Sequence, residues 1–128
     1  MVILSAEKIK SLETSCKELS KLDEVRHVAV INKLGNLVAG GTKKGIVPII
    51  NDEKIRMVYM QLQLDFQMRR ELDDLLGPID YIASRRKNIL MISVPVNNYL
   101  IMIAANPEAD DKKIIQNTEE LFDNLSFD

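Results

Sequence analysis

Few side chains in this sequence could do chemistry, and their spacing does not bring them together. The 128 residues include one histidine and one cysteine. His27 lies in the β-branched run VRHVAVIN, Val25–Asn32, on one strand face with Val25, Ala29 and Ile31. No Cys, His or carboxylate cluster accompanies it, so it reads as a structural histidine rather than a ligand or base. Cys16 falls on the apolar stripe of an amphipathic segment and reads as a small buried hydrophobe, not a reactive thiol. Glu71, Asp73 and Asp74 crowd one helical turn but point in different directions. They lack a companion carboxylate, histidine or lysine that would shift a pKa for acid–base work. No residue spacing matches a metal site, and no set of residues calls for a cofactor. The expectation is a protein that is not an enzyme.

Two cationic stretches are candidates for anion binding. Gly40-Gly41-Thr42-Lys43-Lys44-Gly45 invites a phosphate-loop reading, with backbone N–H groups and the charges of Lys43 and Lys44 around an anion. The nucleotide-binding loop needs four residues between its glycines, then Lys and Ser or Thr, and this stretch has neither. A flexible connector is the plainer reading, and an anion site is the alternative. Arg85, Arg86 and Lys87 form a basic turn, either solvated charge or a dock for an anion or acidic surface at that end of the sheet. Nucleic acid is disfavoured as a partner. The net charge is −2, there is no Trp, and only three Tyr and three Phe are present, without the basic–aromatic interleaving of a stacking platform.

The element that must organise these residues is the stretch Asp52–Gly77, which reads as one long helix. Advancing about 100° per residue puts Ile55, Val58, Tyr59, Leu62, Phe66 and Leu76 on one side. Met57, Met60, Leu64, Met68, Leu72 and Leu75 fall on a second side. A polar strip of Arg56, Gln63, Gln67, Arg70 and Asp74 separates them on one flank. An ordinary surface helix has one apolar stripe, facing its own core. Two readings follow: other elements of the chain cover both sides, or one side meets the sheet and the Met-rich side meets a second subunit. Met is adaptable and enriched at interfaces, which favours the second. Asn51 or Asp52 caps the start; Gly77 and Pro78 end the helix.

The remaining elements read in order. Ala6–Lys21 is an amphipathic helix capped by Ser5. Val25–Asn32 and Leu37–Gly41 form a hairpin around Gly35, and Thr42–Asn51 is a loop. Asp80–Arg86, Ile89–Val94 and Tyr99–Ala105 are three short-linked antiparallel strands. Asp110 caps a last helix, Asp111–Leu125. The order α-β-β-α-β-β-β-α predicts an α+β fold, one five-stranded antiparallel sheet with helices on both faces. The length and the absence of linkers or repeats point to a single domain over residues 1–128. One cysteine, no long apolar run and no leader at the start predict a cytoplasmic protein without membrane insertion.

This order, with the hairpin HVAVINKLGNLVAGG, one long helix and a three-strand run, resembles the roadblock group of profilin-like domains. LVAGGTKKG and YMQLQLDFQMRRELDDLLGPIDYIASRRK also resemble an uncharacterised family of small proteins from ammonia-oxidising archaea. The roadblock resemblance implies a homodimer built on the long helix and the neighbouring edge strand, Asp80–Arg86. Met57, Met60, Leu64, Met68 and Leu72 would then meet the second copy, with Tyr81 and Ala83 at the pairing edge. It implies further that the dimer is a scaffold binding a small Ras-like GTPase or a larger assembly. The alternative carried by related sheet-and-helix folds is a small-molecule or anion-binding sensor.

Overall fold

The computed structural model describes residues 4–123. Five strands form one sheet: β1 (Val25–Ile31), β2 (Leu37–Thr42), β3 (Ile82–Arg85), β4 (Leu90–Val96) and β5 (Tyr99–Ala105). Their spatial order is β2-β1-β5-β4-β3, and every neighbouring pair is antiparallel. The two hairpins β1–β2 and β4–β5 therefore meet through their apolar inner strands. β5 is buried from Leu100 through Ala105, as a continuous apolar run must be when both sheet faces are covered.

Helices α1 (Ala6–Ser20) and α4 (Asp111–Asp123) cover one face. Leu12, Cys16, Leu19, Ile115 and Phe122 pack there against Val28, Val30, Ile92, Ile101 and Ile103. Helix α2 (Asp52–Arg69) covers the other, where Tyr59 and Phe66 meet Ala29, Ile31, Leu100, Met102 and Ala104. Each large apolar side chain fully buried in this way is worth about 1.5–3 kcal/mol. The helix starts are capped as their sequences direct. Ser5 Oγ accepts from the Lys8 N–H at 3.2 Å, Asn51 Oδ1 from Lys54 at 2.8 Å, and Asp110 Oδ1 from Lys113 at 3.2 Å. Of the expected last helix, Leu125 lies outside the described residues.

Four details differ from the sequence reading. The β1–β5 register shifts between Val25 and His27. This bulge turns Val25 into the α1/α4 layer while Ala29 and Ile31 face α2, so Val25 and His27 do not share a face. β4 runs on through Pro95 to Val96, leaving a turn at Asn97-Asn98 in which Asn97 takes φ 56°, a conformation Asn tolerates.

The long helix does not reach Gly77 unbroken. It tightens into a 3-10 turn at Arg70–Leu72 and restarts as a short helix, α3 (Asp73–Leu76). Glu71, Asp73 and Asp74 would otherwise sit at the negative end of a long helix; the restart puts both aspartates in a first turn instead. The changed phase leaves Leu76, expected on the core side, 77 % exposed.

The polar flank of α2 is the fourth. Gln63 is only 2 % exposed, although it belongs to the polar strip by spacing. Its Nε2 donates to the Asn32 carbonyl at 2.7 Å and lies 3.4 Å from that of Asn98. One and two turns on, Gln67 Nε2 donates to Lys33 O at 3.3 Å and Arg70 Nη2 to Asn97 O at 3.2 Å. These carbonyls belong to the β1–β2 and β4–β5 turns; that of Asn32 also accepts the Gly35 N–H at 2.9 Å, closing the turn. The strip is a clasp onto the sheet. Replacing Gln63 with Ala removes its bond to the Asn32 carbonyl, and urea denaturation is expected to show a loss of about 0.5–1.5 kcal/mol; an unchanged midpoint would mean the clasp contributes nothing.

Candidate functional site

The second side of α2 faces away from the sheet. Met57, Met60, Leu64 and Met68 recur at helical spacing, and Leu72 continues the row in the 3-10 turn. All five are exposed, from 50 % for Leu72 to 71 % for Met68. Of the 18 residues of α2, only Tyr59, Gln63 and Phe66 are buried, so its inward hold on the sheet is narrow. β3, whose Ile82 packs into the layer under α2, is a sheet edge whose far side has no partner strand among the described residues. Tyr81 and Ala83 are exposed there. Ile82 packs into the α2 layer, so strand alternation turns Ala83 to the opposite face. The seven residues thus form two parts, a helix face and a strand edge, rather than one stripe.

The five candidate anion-binding residues are not brought together. Lys43 and Lys44 follow β2, and Arg85, Arg86 and Lys87 end β3. These strands are the two opposite edges of the sheet, four spacings or roughly 19 Å apart. Two of the five have structural work. Lys43 Nζ donates to Leu22 O at 3.1 Å, tying the end of β2 to the loop before β1. Arg85 donates to the carbonyls of Pro107 and, at 3.0 Å, Ala109, holding the approach to α4. Lys44, Arg86 and Lys87 are exposed.

A site that spacing alone missed lies under the first half of α2. His27 Nε2 is 2.6 Å from Tyr59 Oη, and its Nδ1 is 3.0 Å from Thr42 Oγ1. Thr42 is the cross-strand neighbour of His27, a pairing the hairpin could have revealed. Tyr59 comes from a different element, and no local pattern links it to position 27. Burial pushes His27 down to about 4 and Tyr59 up to about 12, the latter helped by Asp52. Both groups are therefore neutral near pH 7. The triad lines a half-open cleft of about 560 Å³ between the β1–β2 hairpin, connector 43–51 and α2. Among the described residues no cluster of His, Cys, Asp or Glu could hold a metal ion, and no helix is long and apolar enough to cross a membrane.

The antiparallel sheet of order β2-β1-β5-β4-β3, with one helix on one face and two on the other, is the fold of roadblock domains. It superposes on the gliding protein mglB of Thermus thermophilus with a TM-score of 0.76, at 11 % identity over 94 % of this chain and 89 % of that one. A Roadblock/LC7 domain from Streptomyces avermitilis gives 0.67 at 9 % identity, over 85 % and 89 %. An MglB solved with a tetrameric arrangement gives 0.75 at 12 % identity, over 94 % and 88 %. By sequence the chain belongs to the Family of unknown function (DUF6659), whose model matches residues 4–125. No curated protein matches it.

The lowered His27 value sets a pH dependence. The unfolded chain binds a proton near 6.5 and the native chain only near 4, so the native state holds fewer protons between those values. Stability is then full above about pH 6.5 and falls as pH drops toward 4. Urea denaturation at about pH 7 and about pH 4.5 is expected to show a larger loss for the wild type than for His27→Gln. Equal losses would show that the buried imidazole is not the group responsible.

Proposed function

We propose that residues 1–128 form a single roadblock-like domain that works as a homodimeric, non-enzymatic interaction module in the cytoplasm. The observation that carries this reading is the exposed row Met57, Met60, Leu64, Met68 and Leu72 on the outward side of α2. Each such side chain left in water forgoes roughly 1.5–3 kcal/mol. A second copy of the same helix offers the same row, so a two-fold axis makes the surface self-complementary. Methionine side chains adapt to one another across such a contact. The edge strand β3, with Ala83 on it and Tyr81 just before it, has no partner strand among the described residues, and an unpaired edge is protected when another chain covers it. Support also comes from the roadblock neighbours, one of them solved with a tetrameric arrangement.

The paired platform then serves a small Ras-like GTPase or a larger scaffold, the role that the roadblock resemblance implies. The test is the double substitution Leu64→Glu with Met68→Glu. Both side chains point outward, so the variant is expected to remain folded and to sediment as a monomer where the wild type sediments as a dimer. Leu62→Glu, on the side that packs against the sheet, is expected to unfold the chain. A wild type already monomeric at high micromolar concentration, or a double variant still dimeric, would overturn the pairing. Capture of a Ras-like GTPase by the wild type but not by the monomeric variant is the result expected of the platform.

A further inference from the structure

We propose that the cleft under the first half of α2 binds a small amphipathic monocarboxylate, a short apolar chain or ring carrying one carboxylate. The cleft is built within one chain, so this inference goes beyond the pairing reading and does not rest on it. Its volume of about 560 Å³ lies within the roughly 300–1,000 Å³ of small-molecule sites. Its walls are apolar, with Ile46, Ile50, Ile55 and Met91 among them. At its mouth the connector leaves Ile49 exposed, and the adjoining Val47 is 83 % exposed. Both are large apolar side chains that gain nothing from water.

The polar groups set the ligand's other end. Thr42, His27 and Tyr59 form a chain of three hydrogen-bonding groups with a neutral imidazole at its centre. If Tyr59 donates to Nε2, then Nδ1–H donates to Thr42 and the Thr42 hydroxyl proton is free. In the other tautomer Thr42 donates to Nδ1, and the Tyr59 hydroxyl proton is free. Either way the chain has one spare O–H to offer an oxygen acceptor. The charges lining the cleft are Arg26, Arg56 and Asp52, a net single positive charge. Arg26 is already held, donating to Val47 O at 3.0 Å. Arg56, exposed on the polar flank of α2, is the cation available to a carboxylate. One surplus positive charge, one spare hydroxyl and apolar walls fit a monoanion with an apolar body. A phosphate would meet too few donors, and an uncharged hydrocarbon would waste them.

The experiment titrates the full-length protein with octanoate and, in parallel, with octanol, reading amide chemical shifts. Octanoate is expected to give saturable shifts at Thr42, Ile50, Ile55 and Met91, with octanol at least about tenfold weaker. Arg56→Glu, a solvent-facing change that leaves the packing intact, is expected to weaken octanoate by about tenfold or more and leave octanol unchanged. Thr42→Val removes one end of the relay and is expected to weaken octanoate while the fold persists. No saturation at millimolar octanoate, equal binding of octanol, or shifts confined to the Met57–Leu72 face would each overturn the proposal.

Discussion

The placement of α2 depends on three side-chain donors. Gln63, Gln67 and Arg70 follow one another up a flank of the helix and reach carbonyls of Asn32, Lys33 and Asn97 in two different hairpin turns. A helix seated only on Tyr59, Phe66 and the half-buried Ile55 and Leu62 could roll on a smooth apolar sheet. The directional bonds on its flank fix the roll. The β1–β2 turn closes tightly on the same helix: a Cβ at Gly35, where φ is +84°, would stand 2.9 Å from Met60 Cα. With the roll fixed, Tyr59 and Phe66 must point inward, and the methionine row must point out.

The two faces of the sheet are built differently. On the α1/α4 side the packing is closed. A Cβ at Gly40 would meet the Val28 carbonyl at 2.0 Å and the Cys16 sulfur at 3.0 Å, while Glu13 Oε1 accepts the Gly40 N–H at 2.9 Å. Burial, with Glu13 nearby, pushes the Cys16 thiol up to about 12, which keeps it an unreactive filler. On the α2 side only a narrow ridge of the helix is buried, and the space beside it opens into the cleft. The cleft and the methionine row both lie on the open side. Met60 belongs to both features, lining the cleft and standing in the outward row. A ligand under α2 and a chain against it would therefore touch the same side chain.

Much of the fold was legible because its signals are local. Caps at Ser5, Asn51 and Asp110 operate within three residues, and the hairpin strands carry the pattern of a sheet covered on both sides. The inward and outward sides of α2 also follow from its period, apart from Leu76. Three of the four departures lie beyond local pattern. The bulge after Val25, the burial of Gln63 and the break at Arg70 each depend on an atom from a distant part of the chain or on the summed charge of a helix end.

The element order, the antiparallel hairpins, the scarcity of catalytic groups and the two apolar sides of the long helix can all be read along the chain. Each is a property of neighbours in the chain, set by residue type and period. Long-range packing alone joins Thr42, His27 and Tyr59 in one hydrogen-bonded chain, opens a cleft beside them and puts the basic clusters on opposite sheet edges. Those facts depend on strand order and on how α2 lies across the sheet. Strand order and helix seating arise from contacts between residues tens of positions apart, which no local pattern encodes.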